Sequence, residues 1–120
     1  MGITTDIGTN YETVAAGFLQ KLGFKIVEKN FKVKAGEIDI IALDKKILVF
    51  VEVKFRKNNN YGNPYEFVTI QKQQKIIKAA LLYIKKNNIK TDFRFDVVSI
   101  CGSEIEHIKN AFAPQTRYFF

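Results

Sequence analysis

Two apolar segments joined by a three-residue polar connection constrain the fold of this chain more than any other feature of its sequence. The segments span residues 37–43 and 47–54, and the connection is residues 44–46. Because the connection is so short, the two segments are predicted to pair as an antiparallel hairpin. Alternate residues of a strand share a face, so each segment has one wholly apolar side and one side that carries ionisable groups.

The patterns that flank this hairpin predict an α/β sandwich built on a mixed sheet, in the order helix, three strands, helix, two strands. Thr9 and Glu12 fit a capping box at the start of the first helix, and Gly23 stands where a C-cap glycine would. The Asn-rich segment 55–64 is predicted to be a loop. The predicted helices are residues 9–22 and 69–87, and the predicted strands are residues 24–33, 37–43, 47–54, 93–101 and 105–109.

The length and charge of the chain indicate one domain with a polyanionic partner. A chain of 120 residues fits a single domain, and 19 Lys and Arg against 12 Asp and Glu give a net charge of +7. This balance favours nucleic acid as the partner ahead of an anionic membrane surface. The sequence has no secretory signal and no apolar run long enough to span a bilayer, so we expect a cytoplasmic protein without membrane attachment.

The cysteine and histidine content excludes several kinds of catalytic site. Cys101 is the only cysteine and His107 the only histidine. An internal disulfide and a multi-cysteine zinc site are therefore excluded, and His-based triads and two-histidine metal sites are disfavoured. Any chemistry must come from carboxylates, lysines and a hard metal ion.

Four ionisable residues are predicted to converge at one end of the hairpin. If the turn centres on residues 45–46, Asp39 lies across from Glu52, and Glu37 lies across from Lys54 on the same face. Burying such groups is costly unless the charges are paired or hold a cation. The alternative is a structural cluster of acid–lysine pairs at the end of a sheet.

Two close carboxylates, one from each strand, suit Mg²⁺ or Mn²⁺, which prefer oxygen ligands. The carbonyl oxygen of Val53 could add a third ligand from the same strand. Lys54 would then orient or deprotonate the attacking water and offset charge in the transition state of phosphodiester hydrolysis.

Asp39, a gap of twelve residues, and Glu52-Val53-Lys54 resemble the bipartite PD-(D/E)xK signature of restriction-endonuclease-like nucleases. With its surroundings, this pattern resembles the YraN family of small restriction-endonuclease-like proteins related to Holliday-junction resolvases. The resemblance is carried by residues 36–39, 50–54, Arg56, Gly62, Pro64, Val68, Lys72, 94–98, 107–108 and 110–112.

The resemblance implies a restriction-endonuclease-like core and a metal-dependent endonuclease that cleaves phosphodiester bonds in structured or branched DNA. Asp39 and Glu52 would be the metal ligands and Lys54 the catalytic lysine, and in related resolvases an acid of the first helix, here Glu12, completes the site. A capping-box glutamate, however, needs no catalytic role. The family usually begins with a Gly-x-x-Gly-Glu pattern, and this chain has Tyr11 in place of the second glycine but keeps the glutamate.

Basic and aromatic residues near these positions are candidates for binding nucleic acid. Arg56, Lys57 and Tyr61 follow Lys54, where they suit backbone contacts and base stacking. A solvated loop with a packed tyrosine explains them nearly as well, and Lys72 at the start of the second helix could equally be a surface lysine.

Two other functions remain open from the sequence. One is a non-cleaving nucleic-acid-binding module on the same fold, and the other is a structural or adaptor protein in which the acids form a buried pair network. We expect DNA rather than RNA as the partner. A symmetric homodimer would suit a two-fold junction, although no residue pattern demands one.

Overall fold

The computed structural model describes residues 3–56 and 68–114, and over these ranges it has the predicted order of elements. The elements are α1 (Ile3–Lys21), β1 (Lys25–Val33), β2 (Gly36–Asp44), β3 (Ile47–Arg56), α2 (Ile70–Lys86), β4 (Phe93–Cys101) and β5 (Glu104–Phe112). The sheet has the strand order β1-β2-β3-β4-β5, in which β3 and β4 are parallel and the other neighbours are antiparallel. This mixed sheet with a helix on each face matches the restriction-endonuclease-like core that the resemblance implied.

The hairpin of β2 and β3 has the predicted antiparallel register. Asp44 pairs with Ile47, so the connection is the two residues Lys45 and Lys46. Lys45 has a φ of 59°, a left-handed conformation that a two-residue hairpin turn requires and that a lysine adopts at some cost. A period of two and so short a connection leave one register that buries the apolar residues.

The first helix starts earlier than predicted. It begins at Ile3 instead of Thr9, so the predicted capping box is wrong, and the Glu12 side chain hydrogen-bonds to Asn30 instead. Gly8 lowers the helix propensity of this segment but does not end a helix by itself. The predicted C-cap at Gly23 is confirmed by its φ of 97° and by a hydrogen bond from the Phe24 N–H to the Leu19 carbonyl.

Each face of the sheet buries its own apolar cluster beneath one helix. Val49 and Val51 of β3 belong to the cluster under α1, whereas Leu48 and Phe50 belong to the cluster under α2. Because β3 is buried on both faces, it reads as a nearly continuous apolar run. Neither α1 nor α2, the two helices of the described ranges, is long and apolar enough to cross a membrane.

The last strand is held in place by the buried carboxylate of Asp96. Its oxygens accept hydrogen bonds from the Arg94 side chain at 2.9 and 3.2 Å and from the Asn110 N–H at 3.0 Å, and Oδ2 lies 2.8 Å from His107 Nε2. Burial raises the pKa of Asp96, but the bonds from His107, Arg94 and Asn110 outweigh it and hold the pKa below the ordinary value. This network lies on the α1 side of the sheet, where the Arg94 guanidinium stands over the ring of Phe24.

A close approach between β2 and α2 brings the second helix over the site. A Cβ atom on Gly36 would lie 2.7 Å from the backbone carbonyl oxygen of Lys75. Glycine is therefore required at the start of β2, because any other residue would push α2 away from the strand. The close approach at Gly36 thus sets the distance between α2 and the following residues of β2, which include Asp39.

Candidate active site

The candidate site forms where β2 and β3 stop pairing. Their backbone pairing runs from Asp44 with Ile47 to Ile40 with Val51, one step before Asp39 and Glu52 would face each other. The Val53 N–H instead donates a 2.8 Å hydrogen bond to Oδ2 of Asp39. A side-chain carboxylate therefore stands at the point where the two strands diverge and accepts a bond from the neighbouring backbone.

An irregularity in β2 places Asp39 at this point. In β1, Asn30 lies opposite Asp39 with a left-handed φ of 55°, and the regular pairing of the two strands skips both residues. Ile38 packs in the cluster under α2, but Ile40 packs in the cluster under α1. Residues two apart in a regular strand share a face, so the backbone of β2 must twist at Asp39.

Of the acids of the site, Glu52 has the pKa that is shifted most strongly from its ordinary value. Its side chain is 5% exposed, it hydrogen-bonds to the carboxyl group of Asp39, and its Oε2 lies 3.8 Å from Lys54 Nζ and 3.7 Å from Lys72 Nζ. Burial, followed by the charge and the hydrogen bond of Asp39, raises the pKa of Glu52 to about 7 against the opposing charges of Lys72 and Lys54. Near neutral pH the carboxyl group of Glu52 is therefore only partly ionised, and it contacts a second acid, Asp39, that a cation could bridge to it.

The predicted convergence of Asp39, Glu52 and Lys54 is thus present in the structure, and Lys72 joins them from α2. Lys72 lies in the first turn of the helix, where its backbone N–H donates to the Thr69 N-cap hydroxyl at 3.1 Å. The cap fixes the start of α2, and the close packing of α2 on β2 brings this lysine over Glu52.

Glu12 lies close to the pair without joining it. Burial raises the pKa of its carboxyl group, and the charge of Asp39 raises it further, whereas the hydrogen bond to Asn30 lowers it. Across the described residues, the structure gathers no group of three or more Asp, Glu, His or Cys side chains that could hold a metal ion. The role of Glu12 as a ligand therefore stays a prediction, since it would require a further approach of this side chain.

Glu37 faces a different lysine from the one predicted. Its Oε2 lies 3.9 Å from Lys32 Nζ in an exposed pair, while Lys54 pairs with Glu52. The divergence of the strands beyond Ile40 explains the difference, because a register extended past that point no longer describes which residues face each other. Glu37 lines a cavity of about 280 Å³ with Lys32, Lys72 and Lys75, so its place is beside the site.

Of the three predicted nucleic-acid-binding residues that follow Lys54 in the sequence, Arg56 is among the described residues. Lys57 and Tyr61 lie outside the described residues. Arg56 is partly buried and is the last residue of β3, which extends beyond the predicted end at Lys54.

Asn30 lies beside the site but was not among the residues predicted from the sequence. Two features could have indicated it, since asparagine is uncommon inside strands and is one of the few residues that tolerate a left-handed backbone. What neither feature indicates is that Asn30 lies opposite Asp39 and bonds to Glu12.

The oxygen donors of the site fit a hard divalent cation. Asp39 and Glu52 supply two carboxylates in contact, and the Val53 backbone is held against Asp39 by its N–H. Mg²⁺ and Mn²⁺ are bound by one or two carboxylates and retain several waters, so a site with two protein acids is sufficient. A cation would also offset the repulsion by Asp39 that raises the pKa of Glu52.

Comparison with known sequences identifies the family. The profile of the family described as "Uncharacterised protein family UPF0102" matches residues 11–100. The chain belongs to the UPF0102 family. The match extends from Tyr11 in α1 to Ile100 in β4 and includes both strands of the candidate site, and it confirms the resemblance identified from the sequence as YraN.

Similar UPF0102 proteins are found in other organisms. One from a Sulfurihydrogenibium species is 46% identical over 110 residues, covering 91% of this chain and 96% of the relative. One from Photobacterium profundum is 51% identical over 100 residues, covering 81% and 80%. One from Clostridium botulinum strain Loch Maree is 48% identical over 115 residues, covering 89% and 94%.

Proposed function

We propose that this UPF0102 protein is a metal-dependent endonuclease that hydrolyses phosphodiester bonds in structured or branched DNA. The observation that carries the proposal is the buried contact between Asp39 and Glu52, with the ammonium groups of Lys54 and Lys72 within 4 Å of Glu52. Without a ligand this arrangement is unfavourable, because it holds the buried acid Glu52 against a second, partly buried acid. Such unfavourable groupings of ionisable residues are typical of functional sites.

Each residue has a role in this proposal. Asp39, Glu52 and the Val53 carbonyl oxygen would hold Mg²⁺ or Mn²⁺, with Glu12 approaching to complete the set. When bound, the cation supplies positive charge that polarises a phosphate oxygen and makes water more acidic. Lys54 orients the attacking water and offsets charge that develops on the phosphate.

The lysines beside the site would hold the nucleic-acid backbone. Lys32, Lys72 and Lys75 line the cavity next to the pair, and the whole chain carries a net charge of +7. Phosphate contacts dominate binding of this kind, so affinity should fall steeply with salt concentration.

The test is cleavage of an end-labelled four-way DNA junction with Mn²⁺. Wild type should cleave the junction, Asp39→Ala and Lys54→Ala should lose the activity, and Glu106→Gln, on the exposed part of β5, should keep it. A product that persists at equal yield in Asp39→Ala and Lys54→Ala would remove the assignment, because it would come from a different site or a contaminant.

A thermal-unfolding measurement separates this proposal from a non-cleaving binding module and from a structural cluster. A ligand that binds only the folded protein at 100 times its dissociation constant adds about 2.7 kcal/mol of stability. The nuclease should be stabilised by Mn²⁺ and lose that gain in Glu52→Gln. A binding module would bind DNA equally well with and without the cation. A structural cluster would be stabilised neither by Mn²⁺ nor by DNA.

A further inference from the structure

A stacked aromatic pair lies at the edge of the candidate active site. The ring centroids of Tyr11 and Phe55 are 4.2 Å apart and their planes are inclined by 21°. Tyr11 packs against the buried cluster under α1, whereas Phe55 is 44% exposed. The tyrosine therefore covers one face of the phenylalanine ring and holds it in place, and the exposed surface of Phe55 is turned away from Tyr11.

Both rings are adjacent in sequence to residues of the site. Tyr11 precedes Glu12 in α1, and Phe55 follows Lys54 in β3. Consecutive Cα atoms are about 3.8 Å apart, so a single nucleotide is large enough to contact both the ring of Phe55 and the side chain of Lys54. Along β3, Lys54 is on the α2 side of the sheet and Phe55 on the α1 side, because successive residues alternate. A nucleotide at the end of β3 could place its phosphate on the α2 side of the sheet and its base on the α1 side.

We infer that the exposed face of Phe55, supported from behind by Tyr11, stacks on an unpaired base next to the bond that is cleaved. This inference rests on the proposed function and narrows its substrate to DNA that is branched or gapped at the cleavage point. In a continuous duplex both faces of each base are covered by neighbouring bases, whereas an unpaired base at a branch has a free face. Aromatic side chains bind such bases with little regard to sequence.

The experiment compares two DNA molecules that carry the same fluorescent base, 2-aminopurine. In one it is the unpaired nucleotide at the branch of a flap, and in the other it lies within a continuous duplex. Binding is measured in EDTA, so that no cleavage occurs, with wild type, Phe55→Leu and Phe55→Tyr. Leu82→Ala is the control, since it shortens an apolar side chain of similar exposure, 46%, on α2.

Wild type, Phe55→Tyr and Leu82→Ala should bind the flap more tightly than the duplex and quench its 2-aminopurine. Phe55→Leu should keep the fold and the duplex affinity but lose on the order of tenfold in flap affinity, together with the quenching. An equal loss on both DNA molecules, unchanged flap binding, or the absence of binding by wild type would each overturn the inference.

The cleavage assay tests the proposed function separately. If wild type cleaves duplex and flap at equal rates and Phe55→Leu does the same, the protein is a nuclease without a stacking surface. If Phe55-dependent flap binding is present but Mn²⁺ supports no cleavage, the stacking surface is retained and the nuclease is excluded.

Discussion

Replacing Glu52 with glutamine should stabilise the metal-free protein at alkaline pH and have a much smaller effect at pH 5. At pH 5 the carboxyl group of Glu52 is protonated, and glutamine resembles it in shape and charge. At pH 8 the wild-type protein must bury a second negative charge beside Asp39, but the variant need not. The amide of the variant can still donate a hydrogen bond to Asp39.

The size of the effect follows from the pKa of Glu52, which rises from 4.5 to about 7 on folding. The folded protein holds this proton more tightly than the unfolded chain, so stability is lost as pH rises through this interval. Each pH unit of that interval corresponds to about 1.4 kcal/mol, and the loss between pH 5 and pH 8 is therefore roughly 2–3 kcal/mol. Glutamine abolishes this loss, because it does not titrate.

The measurement is urea unfolding of wild type and Glu52→Gln in EDTA at pH 5 and pH 8. The difference between the two proteins isolates Glu52, because the other titrating groups are common to both. Glu106→Gln is the matched control, as an exposed glutamate on β5, and should behave as wild type at both values. A Glu52→Gln variant that is less stable than wild type at pH 8 would refute the reasoning, because the buried charge would then be stabilising.

Three further predictions concern the residues that shape the site and the fold. Gly36→Ala should lower the free energy of unfolding by about 1–3 kcal/mol, because the added Cβ would lie 2.7 Å from a backbone oxygen of α2. Gly17→Ala is the matched control in α1, where an added Cβ meets nothing within 4 Å, and it should raise the free energy of unfolding by up to about 1 kcal/mol. Urea unfolding should therefore show changes of opposite sign for the two variants. Asn30→Ala should be about 1 kcal/mol less stable than Asn30→Gly, because both variants lose the hydrogen bond to Glu12 but only glycine adopts a φ of 55° without strain. Equal melting temperatures of the two variants would contradict this. Asp96→Asn should lower the free energy of unfolding by about 3 kcal/mol at pH 7. Because the pKa of Asp96 is held below 3.8, the difference between the variant and wild type should shrink as pH falls below this value. An equal difference in the free energy of unfolding at pH 7 and pH 3 would show that the charge of Asp96 is not involved.

The predicted helix and strand boundaries differ from the structure in informative ways. The predicted bounds of strand β4 agree with the structure, because Asp92 precedes the strand and Gly102 follows it. Strand β5 runs to Phe112, past the predicted end at residue 109, because Asp96 accepts the N–H of Asn110 and holds the irregular continuation against β4. Local pattern therefore located the strands, and a distant side chain decided where the last one ends.

Some contacts of the candidate site can likewise be predicted from local sequence, and others cannot. The contact of Asp39 with Glu52 follows from the period of two and the short connection, and these are visible in the sequence. The predicted pair of Glu37 with Lys54 does not form, since the hairpin diverges before it reaches them and Glu37 faces Lys32 instead.

By itself, the sequence determined the order of the elements, the pairing of β2 with β3 and the meeting of two acids with Lys54, because each depends only on residues close along the chain. The tertiary structure alone decided that Lys72 lies over Glu52, that Asn30 lies opposite Asp39, and that the Glu52 carboxyl group is buried enough to keep a proton near pH 7. These features depend on how α2 and β1 pack against the hairpin. Burial and long-range contact arise from the whole fold, so no local pattern of residue types encodes them.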